Sequence, residues 1–208
     1  MDPFSKRRPP ARFHALMLRT SDADGRSHGG FQWPSEGFVC APDWDLRVVC
    51  GGGLHGALRG EGDGSLFSWS KDALWQVVEV DTRQVVDLGG KVKVPRGWVI
   101  YSGDRETATR IVMDAHGGAV IGGTATAGDY GTATAGHRGT ATAGDYGTAT
   151  AGHGGTATAG DGGELRIRWF DGSRRRCAVA YVGEDGIRPD VAYRIEVENG
   201  WPRLVEAE

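Results

Sequence analysis

The chain has 208 residues, of which 39% are hydrophobic and 25% charged, enough for one ordinary domain or two small ones with a packed core. A net charge of -3 and a pI near 6.1 argue against general nucleic-acid binding. A mean hydropathy of -0.37, with no long apolar run, argues against a membrane-spanning helix. Three cysteines, Cys40, Cys50 and Cys177, cannot all pair, so a disulfide-stapled secreted fold is not expected. Residues 1–10 are basic and proline-containing with no apolar segment behind them, so no signal peptide is expected either.

In chain order, residues 1–11 read as a flexible arm. Arg12 to Arg19 reads as a strand, and Gly30 to Asp45 as a loop-rich cluster of Phe31, Trp33, Phe38 and Trp44. After a glycine run, Gly51-Gly52-Gly53, come a buried-looking strand at Leu74–Asp81 and further strands at Val85–Leu88 and Val92–Tyr101. These are broken at Gly89-Gly90 and Pro95-Arg96-Gly97. Asp104 caps a helix running to about Ala115, with Gly117 as its stop and Ala108, Ile111, Val112 and Ala115 as its apolar stripe. Residues 12–117 therefore form an α+β domain.

The 35 glycines, about 17% of the chain against a usual ~7%, are concentrated beyond this helix. From Gly123 to Gly162 the chain reads GTATAGDY, GTATAGHR, GTATAGDY, GTATAGHG, GTATAGDG, five octads over forty residues. Thr favours strands and Gly tolerates sharp corners, so each octad reads as one short strand plus one turn. Two octads then form a 16-residue coil of a β-solenoid, stacked at about 4.8 Å per coil. Leu165 and Ile167 fall on Ala positions of the next octad, and Glu164 and Arg166 on Thr positions. Ala therefore points inward and Thr outward. Asp129, Asp145 and Asp161 stack on one corner beside Tyr130 and Tyr146, and His137 and His153 on the other beside Arg138. The Asp ladder reads as turn formation through backbone N–H groups, with calcium binding as the alternative. The His pair reads as a solvated corner. Residues 118–163 are the solenoid, and 164–208 are a C-terminal cap of two hairpins turning at Asp171-Gly172 and Asn199-Gly200. The fold class is mainly β.

These octads resemble the octapeptide repeat of bacterial ice-nucleation proteins, with its TxT rows and stacked tyrosines. Five octads make 2.5 coils, roughly 12 Å of stack, too small an array to organise ice. The layout also resembles uncharacterised phage and prophage proteins, through Gly53-Leu54-His55-Gly56, Val78-Glu79-Val80-Asp81, the Val86–Val92 run and the octads. That resemblance implies a viral accessory protein acting in the cytoplasm of a bacterial host.

Few constellations suggest chemistry. Cys40, Cys50 and His55 are poorly spaced for zinc, and the cysteines read as buried free thiols. Arg174-Arg175-Arg176 reads as a solvated hairpin tip. No phosphate-binding loop, metalloprotease or hydrolase motif occurs, so neither a metal nor a cofactor is expected. One arrangement, His14 on a first strand, a glycine-flanked His55, and Glu79 on a hydrophobic strand, resembles the order of elements in ADP-ribosyltransferase-like folds. It implies an NAD-binding enzyme with catalytic His14, His55 and Glu79. The bland alternative is two structural histidines and a solvent-facing Glu79. The leading expectation is a non-enzymatic interaction protein that binds a host protein, with inhibition of a host defence such as a CRISPR complex as its purpose; a virion or fibre component is a further alternative. Two stacked tyrosines beside small residues also predict a homodimer through Tyr130, Tyr146, Thr132, Thr140 and Thr148.

Overall fold

The computed structural model describes residues 6–207. The chain divides into two compact units, Met1–Gly117 and Gly118–Glu208. Mainly β structure holds throughout, and among the described residues no sheet closes into a barrel.

The first unit is a seven-stranded, wholly antiparallel sheet. Its strands are β1 (His14–Ser21), β2 (Gly37–Cys40), β3 (Leu54–Leu58), β4 (Leu74–Asp81), β5 (Val86–Asp87), β6 (Val92–Val94) and β7 (Arg96–Gly103). They lie in the order β2-β7-β4-β1-β3-β6-β5. β1 and β4 pair over eight residues, from His14 opposite Asp81 to Ser21 opposite Leu74. Ala15 and Met17 of β1 meet Val78, Val80, Val94, Val99, Leu54 and Trp33 in one buried cluster, so alternate positions of the central strands supply the core.

Several expectations need correction. The strand Leu54–Leu58 is not apparent in the sequence, because glycine interrupts its alternation. Gly56 is needed there: a Cβ would fall 2.6 Å from Met17 Cγ. The run Val92–Tyr101 is two strands broken at Pro95 alone, since Arg96 and Gly97 already pair with Cys40 and Val39. The arm's residues 1–5 lie outside the described residues, but Arg7 and Arg8 are held against the sheet. The Arg7 carbonyl accepts from Arg96 Nη1 at 2.9 Å, and Arg8 Nη1 lies 2.9 Å from Glu79 Oε2.

Besides three short 3-10 turns, the unit carries the α-helix α1, which spans Arg105–His116. Asp104 caps it by accepting from the Thr107 N–H at 2.8 Å, and Gly117, at φ 66°, closes it through Met113 O. Its buried face keeps Ala108 and Val112 of the expected stripe and adds Thr109. Ile111 is half-buried and Ala115 exposed. The rotation brings His116 over β1, where its Nε2 accepts the Leu16 N–H at 2.9 Å. That N–H lies beyond the short β1/β3 pairing, which holds only Met17 and Leu18. No helix among the described residues is long and apolar enough to cross a membrane.

In the second unit the octads form β8 (Thr124–Ala127), β9 (Thr132–Thr134), β10 (Thr140–Ala143), β11 (Thr148–Ala151) and β12 (Thr156–Ala159). Consecutive strands alternate between two sheets. β8, β10 and β12 pair in parallel, with Thr140 beside Thr124 and Thr156; β9 and β11 pair with Thr148 beside Thr132. Each register step is sixteen residues. β13 (Glu164–Phe170) extends the second sheet, placing Leu165 beside Ala149 and Ile167 beside Ala151. The alanines of β9 to β12 are buried in one cluster with Leu165, Ile167, Val182, Ile187 and Tyr193. Ala is inside and Thr outside, as the alternation predicts.

Alanine contributes only a methyl group to such a core, and larger side chains thicken it toward the C-terminal end. β14 (Arg175–Tyr181) pairs antiparallel with β13 through all seven of its residues. The hairpin of β15 (Tyr193–Glu198) and β16 (Trp201–Glu206) joins β12 at Ala157 opposite Tyr193. The octads and the two hairpins thus share one core.

This packing sets two expected outcomes. Ala141 is fully buried, so Ala141→Leu should cost about 1–3 kcal/mol in a urea melt, while Thr140→Ser on the outer face stays within about 0.5 kcal/mol; equally mild effects would reverse the inward assignment. The second concerns His116, whose pKa is lowered by burial and then by the charges of Arg59 and His14. The native state therefore holds fewer protons than the unfolded chain once pH drops below the ordinary imidazole value of ~6.5. Its stabilising contribution is present above that value and is lost as pH falls toward the depressed one. The stability lost between about pH 7.5 and about pH 5.5 should shrink in His116→Gln, whose amide oxygen accepts the same N–H without titrating. An equal loss in both proteins would remove this role.

Candidate functional site

Number the octad from its first glycine, so that Tyr130, Arg138, Tyr146, Gly154 and Gly162 occupy position 8. All five have left-handed backbone, with φ of 58°, 50°, 55°, 70° and 64°. The conformation is imposed by the corner, where the Tyr130 N–H donates to Asp145 O at 2.8 Å, the Arg138 N–H to His153 O at 3.0 Å and the Tyr146 N–H to Asp161 O at 2.8 Å. Glycine adopts it freely; another L-residue is strained there by about 1–2 kcal/mol.

Tyrosine stands at two of these strained positions and is exposed at both, 78% for Tyr130 and 58% for Tyr146. The rings stack with centroids 5.3 Å apart at 12°. Tyr146 in turn lies over Gly162, where an added Cβ would come within 2.7 Å of its ring. Next to the ladder, the Asp145 N–H donates to Asp129 Oδ1 at 3.0 Å and the Asp161 N–H to Asp145 Oδ1 at 2.9 Å. The Asp129 and Asp145 carboxylates thus bind the backbone sixteen residues on, not their own turn. On the opposite corner His137 and His153 stand 5.3 Å apart, tilted by 47°.

The Thr residues expected to join the tyrosines do not form one face. Thr132 and Thr148 pair on one sheet, whereas Thr140 lies on the other beside Thr124 and Thr156. The tyrosine corner is where the two rows meet, since it connects β8 to β9 and β10 to β11.

In the first unit the structure brings His14 and Glu79 together and leaves His55 apart. Leu16 pairs with Glu79 and His14 lies two residues along the same strand, so His14 Nε2 stands 3.5 Å from Glu79 Oε1. Glu79 does not face solvent; its side chain is 15% exposed and also ion-paired with Arg8. His55 sits on β3 opposite Lys93. Burial, followed by the charges of Lys91 and Lys93, lowers its pKa. Lys93 is itself fully buried, and its Nζ donates to Val49 O and Gly51 O at 3.0 Å each.

The cysteines are free but are not buried thiols: Cys40 is half-buried, and Cys50 and Cys177 are exposed. Their positions on an edge strand, a glycine loop and the outer hairpin strand account for this. Lys91 Nζ lies 3.0 Å from Cys50 Sγ, and its hydrogen bond lowers the thiol pKa.

Comparison with known proteins bears on the repeat. The chain is 36% identical over 100 residues to an ice nucleation protein of Pseudomonas syringae, covering 47% of this chain and 8% of that protein. It is 33% identical over 100 residues to ice nucleation protein InaU of Pantoea ananas, covering 47% and 10%. A further match, to an ice nucleation protein of Xanthomonas campestris pv. translucens, is 36% identical over 95 residues and covers 45% and 6%. The chain spans a tenth or less of the length of these relatives. No protein-family model matches the chain, and no solved structure does. The repeats are ice-nucleation-like.

Replacing Tyr146 with glycine relieves the left-handed strain but removes a stacked pair worth about 0.5–1.5 kcal/mol. Tyr146→Gly should therefore leave the urea midpoint unchanged or slightly raised. A loss well above 1 kcal/mol would make the tyrosine a structural post instead of a surface element.

Proposed function

We propose that the octads form a short β-solenoid of 2.5 coils, whose tyrosine corner is an assembly face in a non-enzymatic interaction protein. The observation that carries this reading is the exposed Tyr130–Tyr146 stack held at two left-handed positions. Glycine would suit the backbone better there, as at Gly154 and Gly162, so the aromatic rings serve something other than the stability of the corner. Exposed aromatics beside small residues suit a protein interface, and a two-fold axis lets each ladder meet its twin. The similarity to ice nucleation proteins supports a repeat with a structural role. A stack of roughly 12 Å is too short to act as an ice template by itself.

In its finer form the proposal is a homodimer of phage or prophage origin, acting in the bacterial cytoplasm on a host protein to inhibit a defence system. The sequence resemblance to phage and prophage proteins supports that origin. A tagged chain used to capture partners from a host lysate reads out whether such a protein exists. A second reading, an NAD-binding enzyme, draws on the 3.5 Å approach of His14 to Glu79; calorimetry with NAD tests it directly.

For the assembly face, light scattering should give a dimer for the native chain and a monomer for Tyr130→Ala/Tyr146→Ala. A native monomer, or a dimer untouched by the double substitution, overturns the proposal.

A further inference from the structure

Among the described residues six strands stand at the edges of the three sheets, and five of them are poor places for another strand to join. β2, β5, β8 and β9 run only four, two, four and three residues. β16 is longer but guarded. The Ala207 N–H donates to Ala192 O at 2.8 Å, on the register that pairs Tyr193 with Glu206, so Pro202, Leu204 and Glu206 aim their backbone groups away from β15. Pro202 has no N–H to offer there, a device that blunts an edge. β14 has no such guard. It runs seven residues in continuous register with β13 and holds no proline. Among the described residues no strand lies on its other side.

The same parity shows what β14 offers. The Val182 N–H donates to Gly163 O at 2.9 Å and the Asp171 N–H to Arg174 O at 3.1 Å, both on the register of the β13–β14 ladder. Ala178 and Ala180 therefore bond β13, while Cys177, Val179 and Tyr181 turn their N–H groups outward, and Cys177 and Val179 their carbonyls as well. The Tyr181 carbonyl accepts from the Glu184 N–H at 3.1 Å. All three of these residues are exposed. The hairpin that carries them is basic: Arg166, Arg168, Arg174, Arg175 and Arg176 stand against Glu164 and Asp171, in a chain whose net charge is -3. Glu164 pairs with Arg166, and Asp171 with Arg176. Arg168 lies opposite Cys177, and Arg174 just precedes β14. Neither meets a carboxylate among the described residues.

We propose that the β14 edge docks an extended acidic segment of a partner protein, which adds to the sheet as a further strand beside Cys177, Val179 and Tyr181. The backbone row supplies the affinity and the side chains the choice of partner. Cys177 is short, so the Arg168 guanidinium can pass over it from a strand about 4.8 Å away and meet a carboxylate on the added strand. Arg174 receives a second carboxylate at the strand end. Val179 and Tyr181 favour a β-branched or aromatic neighbour. The proposal rests on the reading of the chain as an interaction protein and names how a partner is held; it does not depend on the tyrosine corner.

The test uses the full chain and a labelled, capped hexapeptide that alternates Glu and Val. Fluorescence anisotropy should saturate with this peptide. The same peptide with methylated backbone nitrogens, and a Lys/Val counterpart, should bind at least tenfold more weakly. Amide exchange reads the register: in the free chain the Cys177, Val179 and Tyr181 N–H groups should exchange faster than those of Ala178 and Ala180, and the Glu/Val peptide should slow them. Val179→Pro removes an outward donor and none that bonds β13, as Pro202 does on β16, and should weaken the peptide at least tenfold. Arg168→Glu/Arg174→Glu should weaken it as much. Tyr130→Ala/Tyr146→Ala should bind it as the native chain does, which separates this edge from the assembly face. If Val179→Pro does not fold, the methylated peptide and the charge reversal decide the matter. The proposal is overturned by a native chain that binds the Glu/Val peptide no better than either control peptide, or by slow exchange of Cys177, Val179 and Tyr181 in the free chain. It is also overturned if folded Val179→Pro binds undiminished or loses the native dimer, which would give the edge to a second copy, or if oligothymidylate displaces the peptide.

Discussion

The hydrogen-bond ladder at a sixteen-residue offset is the constraint on which the second unit depends. It does not stop at the strand ends. The Thr140 N–H donates to Gly123 O, the Thr148 N–H to Gly131 O, the Thr156 N–H to Gly139 O and the Glu164 N–H to Gly147 O. Pairing therefore continues through the corners, where backbone lies directly on backbone. A Cβ on Gly144 would collide with Asp129 Oδ1, and one on Gly163 would come within 2.7 Å of the Ala159 Cβ and 3.0 Å of Gly147 O. Glycine at the first and sixth octad positions is thus a condition of the stacking distance. Alanine follows from the same spacing, because eight buried methyl groups contributed by two sheets leave little room for more.

The regular array ends where larger residues become useful. Leu165 and Ile167 take the next alanine positions, and Val182, Ile187 and Tyr193 join them. An open sheet edge exposes unpaired backbone, and each C-terminal hairpin continues one of the two sheets, β14 beyond β13 and β15–β16 beyond β12. Against this economy the tyrosines stand out. They occupy a strained backbone position and bury little, so their value lies at the surface.

The first unit solves a different problem, the burial of cations within an antiparallel sheet. Carbonyls of the Val49–Gly51 loop take up Lys93, and Gln84 and Arg7 take up Arg96. Arg19 gives Nη1 to Gln76 Oε1 and leaves Nε without a partner, beside the unpartnered Gln76 Nε2 and Trp33 Nε1.

Period and local chemistry made much of this fold legible. Strict Thr/Ala alternation reports a strand with one buried face, and the Leu165 and Ile167 substitutions report which face, because an apolar side chain belongs where the methyl groups are. The Asp104 cap, the Gly117 stop and the two hairpin turns depend on neighbours within a few residues, so they too are written locally. Tertiary structure alone decided the rest. Leu54–Leu58 is a strand because β1 and β6 flank it, despite its glycine. α1 turned to seat His116 on a strand N–H left unpaired by its neighbour. Alternation places residues on faces but not in sheets, so Thr140 fell on a different sheet from Thr132 and Thr148. His14 reached Glu79, and His55 was left beside Lys93, through the order of strands. The unpartnered Nε of Arg19 depends on which groups long-range pairing brings to it, and no local pattern carries that information.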